Sequence, residues 1–476
     1  MIDDKCRPWI ITGAQVVLFI LLLTFSCQAA PPAANSPDAS AVINGVPRVL
    51  TMPQAVNMAL KDNDQLLAGQ QEVAASQAAI GMARSNLLPH INVKERYMRT
   101  DNPTYGFMAK LNQQRFTAQD FALPSLNSPD PINDFQTSIG LSMPLFAPRA
   151  YIGLDMSKIA HRAVRKDFQR REETIAMRVV TSYLQAKTAR AYIKVARQGV
   201  KDAEEHLRLA RARYKNNLGL YSDILRASTA VKNMQQIETT ASKNYKVACR
   251  ALGLLLGLTT PVTVADTDFP VPLRPIDQCQ ADAAHRQDVR AMELRCKNAR
   301  QNLRLARASL LPVLGVSSSY QMNDHNKPFG SEGHSWMLGA GLKWNLFDGR
   351  RRSYEETKAM HQVQAAVKYL AGLKKAVAFQ VFQAYETVNE AGKNVSLAEE
   401  ALKSALEGQR LVNLRYENSL SPMVDLLDAQ ISLDQSRAHL VARQNDRQLA
   451  ILNLSYESGM ILKDLHAHSN FAGEKK

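Results

Sequence analysis

The chain has 476 residues, a formal net charge of +15 and 45% hydrophobic residues. This share of apolar residues can build a large core, and it excludes an intrinsically disordered chain. Beyond residue 30, no apolar run reaches the length of about 18 residues that a membrane-spanning helix needs, which excludes a bundle of such helices. The positive charge alone permits nucleic acid or an anionic membrane surface as a partner.

The first 29 residues have the order of a secretory signal peptide. Lys5 and Arg7 precede an apolar stretch over residues 10–25, and the small residues that favour cleavage follow around Cys27. Residues 1–29 are therefore predicted to direct export and to be removed. An uncleaved membrane anchor and lipidation at Cys27 remain open alternatives. Export argues against nucleic acid as a partner.

Three cysteines remain in the exported chain: Cys249, Cys279 and Cys296. An odd number at irregular spacing does not make a disulfide framework. The spacing permits a bond between Cys279 and Cys296, but no local pattern requires one. The sequence leaves the state of the three thiols open.

The same motifs occur twice, in the same order. ARSNLLP at 83–89 recurs as ARASLLP at 306–312, and GLSMPLF at 140–146 recurs as GLKWNLF at 341–347. The offset falls from 223 to 201 residues between the two pairs, so the first half carries about 22 extra residues. These lie within 102–133, where four prolines predict a long loop.

The repeat predicts two related halves, at residues 30–256 and 277–460. A proline-rich linker at 257–276 joins them, and a C-terminal tail is predicted at 461–476.

Each half is predicted to contain two strands, at about 89–100 and 134–146, and at about 312–323 and 335–347. In the range 134–146, apolar residues from Phe135 to Leu145 alternate with polar or small ones. This period of two is typical of a strand with one apolar face. Such a strand has the length of a transmembrane β-strand, about 9–11 residues. For any one strand alone, a half-buried soluble sheet remains the alternative.

Each half is also predicted to contain two long helices. Apolar residues recur at alternating steps of three and four from Ala186 to Tyr214, and the register returns 202 residues later from Val388 to Tyr416. This heptad seam with many small residues predicts closely packed coiled-coil helices. Their predicted ranges are about 150–215, 222–256, 350–417 and 422–460. The first would span about 95 Å. A soluble coiled coil does not explain why strands interrupt the helices twice.

Four strands cannot close a membrane barrel, because the smallest have about eight. An open sheet edge is not tolerated in lipid, so copies of the chain would have to share one barrel. Two copies would give eight strands with a filled lumen, and three would give twelve with room for a pore. Composition does not choose between them.

These features together resemble the TolC-like outer-membrane efflux proteins. The resemblance covers residues 50–459 and rests on the repeated order, on the Leu-Leu-Pro triplets ending at Pro89 and Pro312, on WNLFDG at 344–349 and on the segment 416–428. It implies a mixed α and β fold that is mainly helical. Three chains would form a 12-stranded β-barrel in the outer membrane and a long α-helical barrel across the periplasm.

The resemblance also implies partners and a function. The partners would be two further copies in a homotrimer, outer-membrane lipid, a periplasmic adaptor (membrane fusion) protein and an inner-membrane RND or ABC transporter. The function would be passive conduction of substrates to the exterior, gated at the periplasmic tip. Two alternatives stay open: the exit duct of a type I protein secretion system, and a periplasmic coiled-coil adaptor or scaffold. The cargo is not encoded in this chain.

The candidate site residues lie where the long helices turn, at 216–222 and 418–424. Asp425 and Asp428 are three residues apart and share one helical face, where they could simply complement the helix dipole. The resemblance implies instead that they ring the channel aperture, and that Asp223 and Tyr416 form a latch between helices. Ser421 aligns with a basic latch residue of the family's best-studied member, and this departure leaves the chemistry of the latch open.

No motif for catalysis appears in the sequence. A phosphate-binding loop, a His-Glu-x-x-His sequence, a Cys-x-x-Cys pair and a nucleophile elbow are all missing. The chain is therefore predicted not to be an enzyme and to bind no cofactor or metal, so the energy for export would have to come from a partner.

Overall fold

The computed structural model describes residues 49–267 and 271–465. The predicted signal peptide and Cys27 lie outside these residues. Among the described helices, none is long and apolar enough to cross a membrane.

The described elements repeat one order. The strands are β1 (Val49–Leu50), β2 (His90–Thr100), β3 (Ile132–Phe146), β4 (Thr263–Val264), β5 (Val313–Asp324) and β6 (Gly333–Lys343). The helices are α1 (Met52–Asp62), α2 (Asp64–Ser85), α3 (Pro103–Asn112), α4 (Leu123–Asn127), α5 (Pro148–Lys215), α6 (Tyr221–Leu255), α7 (Ile276–Ala283), α8 (Gln287–Ala308), α9 (Arg351–Glu417) and α10 (Met423–Glu457), with a 3-10 turn at Ala118–Phe121. The mainly helical mixed fold is as predicted.

The two halves match in length as well as in order. Helices α2 and α8 have 22 residues each, α5 and α9 have 68 and 67, and α6 and α10 have 35 each. At 1.5 Å per residue, α5 and α9 are each about 100 Å long. Equal lengths bring the two hairpins, α5–α6 and α9–α10, to tips built in the same way, which supports the predicted duplication.

The four long strands form one antiparallel sheet in the order β2-β3-β5-β6. Aligned residues lie in rows across the sheet, and each row faces one side. One row is apolar and consists of Val93, Ile139, Tyr320 and Trp336. The adjacent row is polar and consists of Lys94, Ser138, Gln321 and Ser335. The sheet therefore has one apolar face and one polar face, and both edge strands have an unpaired side.

Strand β6 ends earlier than predicted. The strand was expected to reach Phe347 but stops at Lys343, which pairs with Val313, the first residue of β5. From Trp344 onward, no described strand continues the ladder. Trp344 instead donates its indole N–H to the Leu310 carbonyl, 3.0 Å away.

Helix α5 packs against different helices in two successive regions along its length. Close to the sheet, α5 contacts α2 and α8, and α8 also contacts α9; farther away, α5 contacts α6 and α10. The main core lies where these two regions meet, and its side chains come from α1, α5, α6, α10 and the short parallel pair of β1 with β4. The linker between the halves is thus built into the core through Val262 and Val264, both fully buried.

Two segments predicted to be irregular are ordered. The stretch 102–133 contains α3, the 3-10 turn and α4. The predicted tail begins with a packed segment, because Ile461 and Leu465 lie one helical turn apart and are both buried in the main core. Asp464, between them, binds Ser455 and Arg274.

The three cysteines Cys249, Cys279 and Cys296 are free thiols, and all are buried. Burial raises the pKa of each thiol, so they act as small core side chains.

Tyr183 joins the long helix to the linker. Its buried hydroxyl contacts the carbonyl oxygens of Leu50 and Ala265, each at 3.1 Å. We expect Tyr183→Phe to lower the free energy of unfolding by about 1 kcal/mol, because a buried carbonyl loses its donor. Calorimetry in detergent measures this. Tyr151→Phe, on the exposed start of the same helix, is the control, and an equal effect of both would contradict the role of Tyr183.

Candidate functional site at the hairpin tips

Both hairpin tips close with the same turn. At the first, the Leu218 N–H donates to the Arg213 carbonyl at 2.9 Å, and Asn217 adopts a left-handed backbone with φ of 58°. At the second, Leu420 makes the same bond at 2.8 Å, and Ser419 has φ of 62°. This is the Schellman end of a helix, with an apolar residue following the left-handed one. The sequence therefore builds the two tips from one local plan.

Arg213 ties the first tip to the second. Its Nη1 donates to the carbonyls of Tyr416 at 2.5 Å and Glu417 at 3.1 Å, and its Nη2 donates to Leu218 O at 3.1 Å and Ser419 Oγ at 2.7 Å. The carbonyls in the last turn of a helix have no partner within the helix and carry its negative dipole end. A guanidinium with five donors is suited to that position.

A small apolar core lies beneath this contact. It is built from Ala210, Ala227, Met423, Leu426 and Tyr416, all nearly inaccessible to solvent. The guanidinium of Arg213 lies 4.7 Å from the centre of the Tyr416 ring, a favourable cation–π distance. The repeat partner of Tyr416 behaves differently: Tyr214 remains 47% exposed, whereas Tyr416 is 3% exposed. The two halves therefore have different roles at the tip.

The predicted latch pair is close in space but not hydrogen-bonded. The Tyr416 hydroxyl is buried and has no hydrogen-bond partner among the described residues. Burial raises the pKa of Tyr416, the Asp223 carboxylate raises it further, and Arg213 opposes both. The contact that holds the two tips is thus made by the Arg213 side chain with the Tyr416 backbone, not by a bond from Tyr416 to Asp223.

The two candidate aperture residues are exposed on one face of α10. Leu426, between Asp425 and Asp428, is fully buried in the tip core, so the two carboxylates point away from it. Ser421 donates its hydroxyl to Asp425 Oδ2 at 2.6 Å. The residue that replaces the expected basic latch group therefore orients one of the two carboxylates at the start of the helix.

A polar layer joins the hairpins farther from the tip. Gln430 accepts from His206 at 3.1 Å, and its amide group donates to Asp202 at 3.1 Å and to Asp434 at 3.2 Å. Arg437 bridges the same two carboxylates at 2.8 and 3.2 Å. Burial raises the pKa of Asp434, although the bonds from Gln430 and Arg437 lower it. This layer holds α5 against α10 through specific polar contacts.

Sequence reasoning missed both inter-hairpin contacts. Arg213 and Tyr214 recur as Arg415 and Tyr416, but this repeated pair does not indicate a contact between the hairpins. Gln430 had a signal: it follows Met423 and Leu426 in a heptad seam that continues to Leu433, and all four side chains are buried. A single polar residue in such a seam commonly fixes register and partner.

Comparison with known proteins identifies the family. The family model described as "Outer membrane efflux protein" matches residues 55–258 and 280–459. The chain belongs to the outer membrane efflux protein family. The two matched segments divide between the two halves of this efflux protein, and both hairpin tips lie inside them.

Relatives cover most of the chain at low identity. Outer membrane protein TolC of Vibrio cholerae is 21% identical over 86% of this chain and 91% of its own length. The pyoverdine export outer membrane protein OpmQ of Pseudomonas putida is 23% identical over 81% of each. The open state of the Neisseria gonorrhoeae MtrE outer membrane channel has a TM-score of 0.69 at 17% identity, covering 91% of this chain and 98% of that one. These relatives are outer-membrane proteins, and a solved one is a channel.

The tip contact of this efflux protein can be tested at Arg213. Arg213→Ala removes several charge-assisted bonds, each worth about 1.5–3 kcal/mol. We expect the Leu218 and Leu420 amides to exchange hydrogen at least about tenfold faster in this variant. Hydrogen exchange with mass spectrometry measures the rates.

Arg410→Ala is the matched control for Arg213→Ala. Arg410 lies on α9 and forms an exposed ion pair with Glu407 at 2.7 Å, a type of contact that contributes little to stability. The control should leave exchange at the two tips nearly unchanged. Equal effects of the two substitutions would rule out Arg213 as the contact between tips.

The polar layer should respond to pH through Asp434. The native state binds this proton more tightly than the unfolded chain, whose aspartates keep the ordinary pKa of 3.8. Stability from this group therefore rises as the pH falls through the raised pKa towards 3.8, and it is lost as the pH rises. Asp434→Asn removes the titration but keeps an acceptor for Gln430.

We expect the melting temperature of wild type, relative to Asp434→Asn, to rise between about pH 7 and about pH 4. Thermal scans of both proteins across this range measure the difference. Asp446→Asn, an exposed position on the same helix, controls for loss of charge. Parallel pH profiles for wild type and Asp434→Asn would contradict the expectation.

Proposed function

We propose that three copies of this chain form an outer-membrane channel that passively conducts substrates from an inner-membrane RND or ABC transporter and a periplasmic adaptor to the exterior. The observation that carries the proposal is a four-stranded antiparallel sheet with one apolar face and two open edges, placed at one end of helical hairpins about 100 Å long.

The open edges argue for shared closure. In lipid, every backbone N–H and C=O needs a partner, so β2 of one copy would pair with β6 of the next. Three copies give 12 strands and a lumen, whereas eight strands leave an interior filled by side chains. The apolar row through Ile139 and Tyr320 would face lipid, and the polar row through Ser138 and Gln321 would face water. Family membership supports this arrangement.

The tips would form the gate. Around a threefold axis, Asp425 and Asp428 would make two stacked rings of three carboxylates, which attract cations and narrow the opening. The contact from Arg213 to the second hairpin would hold the closed state, and an adaptor that separates the hairpins would have to break it. That a relative is described in an open state supports a movable tip.

The structure argues against one of the two alternatives and does not distinguish the other from the proposed efflux channel. A periplasmic scaffold in water would not account for a sheet with an apolar face and open edges. The exit duct of a type I protein secretion system would use the same pore, so the chain does not distinguish it; a relative named for pyoverdine export supports small-molecule cargo. The signal peptide and lipidation at Cys27 stay predictions. In this proposal the chain is not an enzyme.

Single-channel recording in a planar bilayer tests the gate. The wild-type protein should conduct weakly. Asp425→Ala/Asp428→Ala should raise the conductance several-fold, because it removes the two rings of carboxylates at the narrowest point. Cation preference should fall in the same variant.

Asp446→Ala is the control for the aperture. This aspartate is exposed on the same helix and pairs with Arg443 at 3.2 Å, but it lies about 27 Å from Asp428 along the axis. It should leave conductance unchanged. Conductance that is unchanged by the double substitution would contradict the aperture assignment but would remain consistent with a channel. A protein that stays soluble without detergent and never inserts would instead favour the scaffold.

A further inference from the structure

The connection between β2 and β3 differs sharply from its counterpart in the second half. It spans residues 101–131 and contains three short helical segments, whereas the connection between β5 and β6 spans only 325–332. Both connections lie at the end of the sheet that is remote from the long helices. We refer to residues 101–131 as the exit insertion.

The exit insertion has an ordered interior. The Phe116 ring lies 4.8 Å from that of Phe107 and 5.0 Å from that of Phe121, in edge-to-face geometry. Lys110 on α3 pairs with Asp120 at 2.7 Å. These contacts join the helix α3 to the 3-10 turn, so the insertion behaves as a small folded unit rather than an extended loop.

A buried amide network anchors the end of α3 to two strands. Gln113 is 1% exposed, and its Nε2 donates to the Asn133 carbonyl at 2.8 Å and to Asp134 Oδ1 at 2.9 Å. Asn323 of β5 donates to both oxygens of Asp134, at 2.9 and 3.1 Å. Asp134 therefore collects three side-chain hydrogen bonds from two separate segments.

The third anchor is a close backbone approach at β6. A side-chain carbon at Gly333 would collide with the carbonyl oxygen of Asn112, the last residue of α3. Glycine is thus required where the exit insertion crosses this strand.

All three anchor points lie on the polar face of the sheet. Along a strand, residues two apart share a face. Asp134 is in phase with Ser138, Asn323 with Gln321, and Gly333 with Ser335, and these three partners form the polar row. In a membrane barrel the polar face lines the lumen. The exit insertion therefore lies on the inner side of the sheet, at the outer mouth.

From this placement we propose that the exit insertion is a second, apolar constriction at the outer mouth of the channel, in series with the tip gate. The proposal rests on the proposed channel function. Helix α3 turns its small residues Gly106 and Ala109 to the sheet, and both are buried. Met108 and Leu111 remain 50% and 42% exposed on the opposite side, which faces the lumen axis.

An apolar constriction excludes water and slows hydrated ions more than apolar solutes. Three copies would place six such side chains around the exit. The channel would then favour release of apolar molecules, with the insertion acting as the last selective step.

The test uses the tip-opened background Asp425→Ala/Asp428→Ala, because resistances in series add and a closed tip would hide the exit. In this background, Met108→Ser/Leu111→Ser should raise single-channel conductance at least about twofold by wetting the constriction. Phe329→Ser is the control: Phe329 is 67% exposed in the β5–β6 connection at the same end, and it should change nothing.

A second variant tests the placement independently. Gly333→Ala should wedge the exit insertion off the sheet and also raise conductance. Gly341→Ala is its matched control, since Gly341 lies on the same face of the same strand and a side chain there meets no described atom within 4 Å. If Gly333→Ala fails to insert, the serine pair decides, because it changes only exposed side chains.

The outcomes separate the two proposals. Conductance that rises with both test variants and with neither control supports the exit constriction. Conductance that is unchanged by the serine pair in an open-tip channel overturns it and leaves the channel intact. A tip-opened protein that forms no channel overturns the proposed function, and the exit constriction with it.

Discussion

In the proposed channel, the backbone at the edges of the sheet has to be paired within the membrane, and the rest of the arrangement depends on this requirement. Strands β2 and β6 each have one side that no other described strand of the chain pairs with. Pairing between copies would therefore follow from the sheet itself, before any side-chain contact between copies is considered. The long hairpins would take the same symmetry, because each follows a strand of the sheet along the chain. In the proposed channel, a pore and its tip gate would then follow from the closure of one sheet.

Duplication gives two hairpins of equal length, but the structure makes them unequal at the tip. Tyr214 and Tyr416 occupy equivalent positions in sequence, yet only Tyr416 is buried. Arg213 reaches the other hairpin, while its equivalent Arg415 lies exposed. The first hairpin thus contacts the second through Arg213, and within the described residues the second makes no equivalent contact through Arg415. The polar layer around Gln430 repeats this division, because its acceptors and donors come from both hairpins.

Sequence periodicity was enough for the fold and only partly for the site. Strands and helices were predictable because periods of two and of seven are set by local geometry, and the repeat supplied each pattern twice. The end of β6 was not predictable, because it depends on where the partner strand β5 begins. The packing of Ile461 and the folding of 102–133 were missed because both depend on distant contacts. The role of Asp425 and Asp428 at the aperture was proposed by resemblance. Arg213 was missed because most of its partners are backbone carbonyls, which leave no trace in sequence.

That last feature has an evolutionary consequence. Arg213 mainly recognises carbonyl oxygens at the second tip, a chemical group that every amino acid supplies. Most side chains of the second turn can therefore diversify without loosening the clasp. A docking surface at the tip would be free to follow changes in its partner protein, while the contact that would hold the proposed gate closed stays unchanged. Recognition and closure would then evolve independently, although they occupy the same few residues of chain.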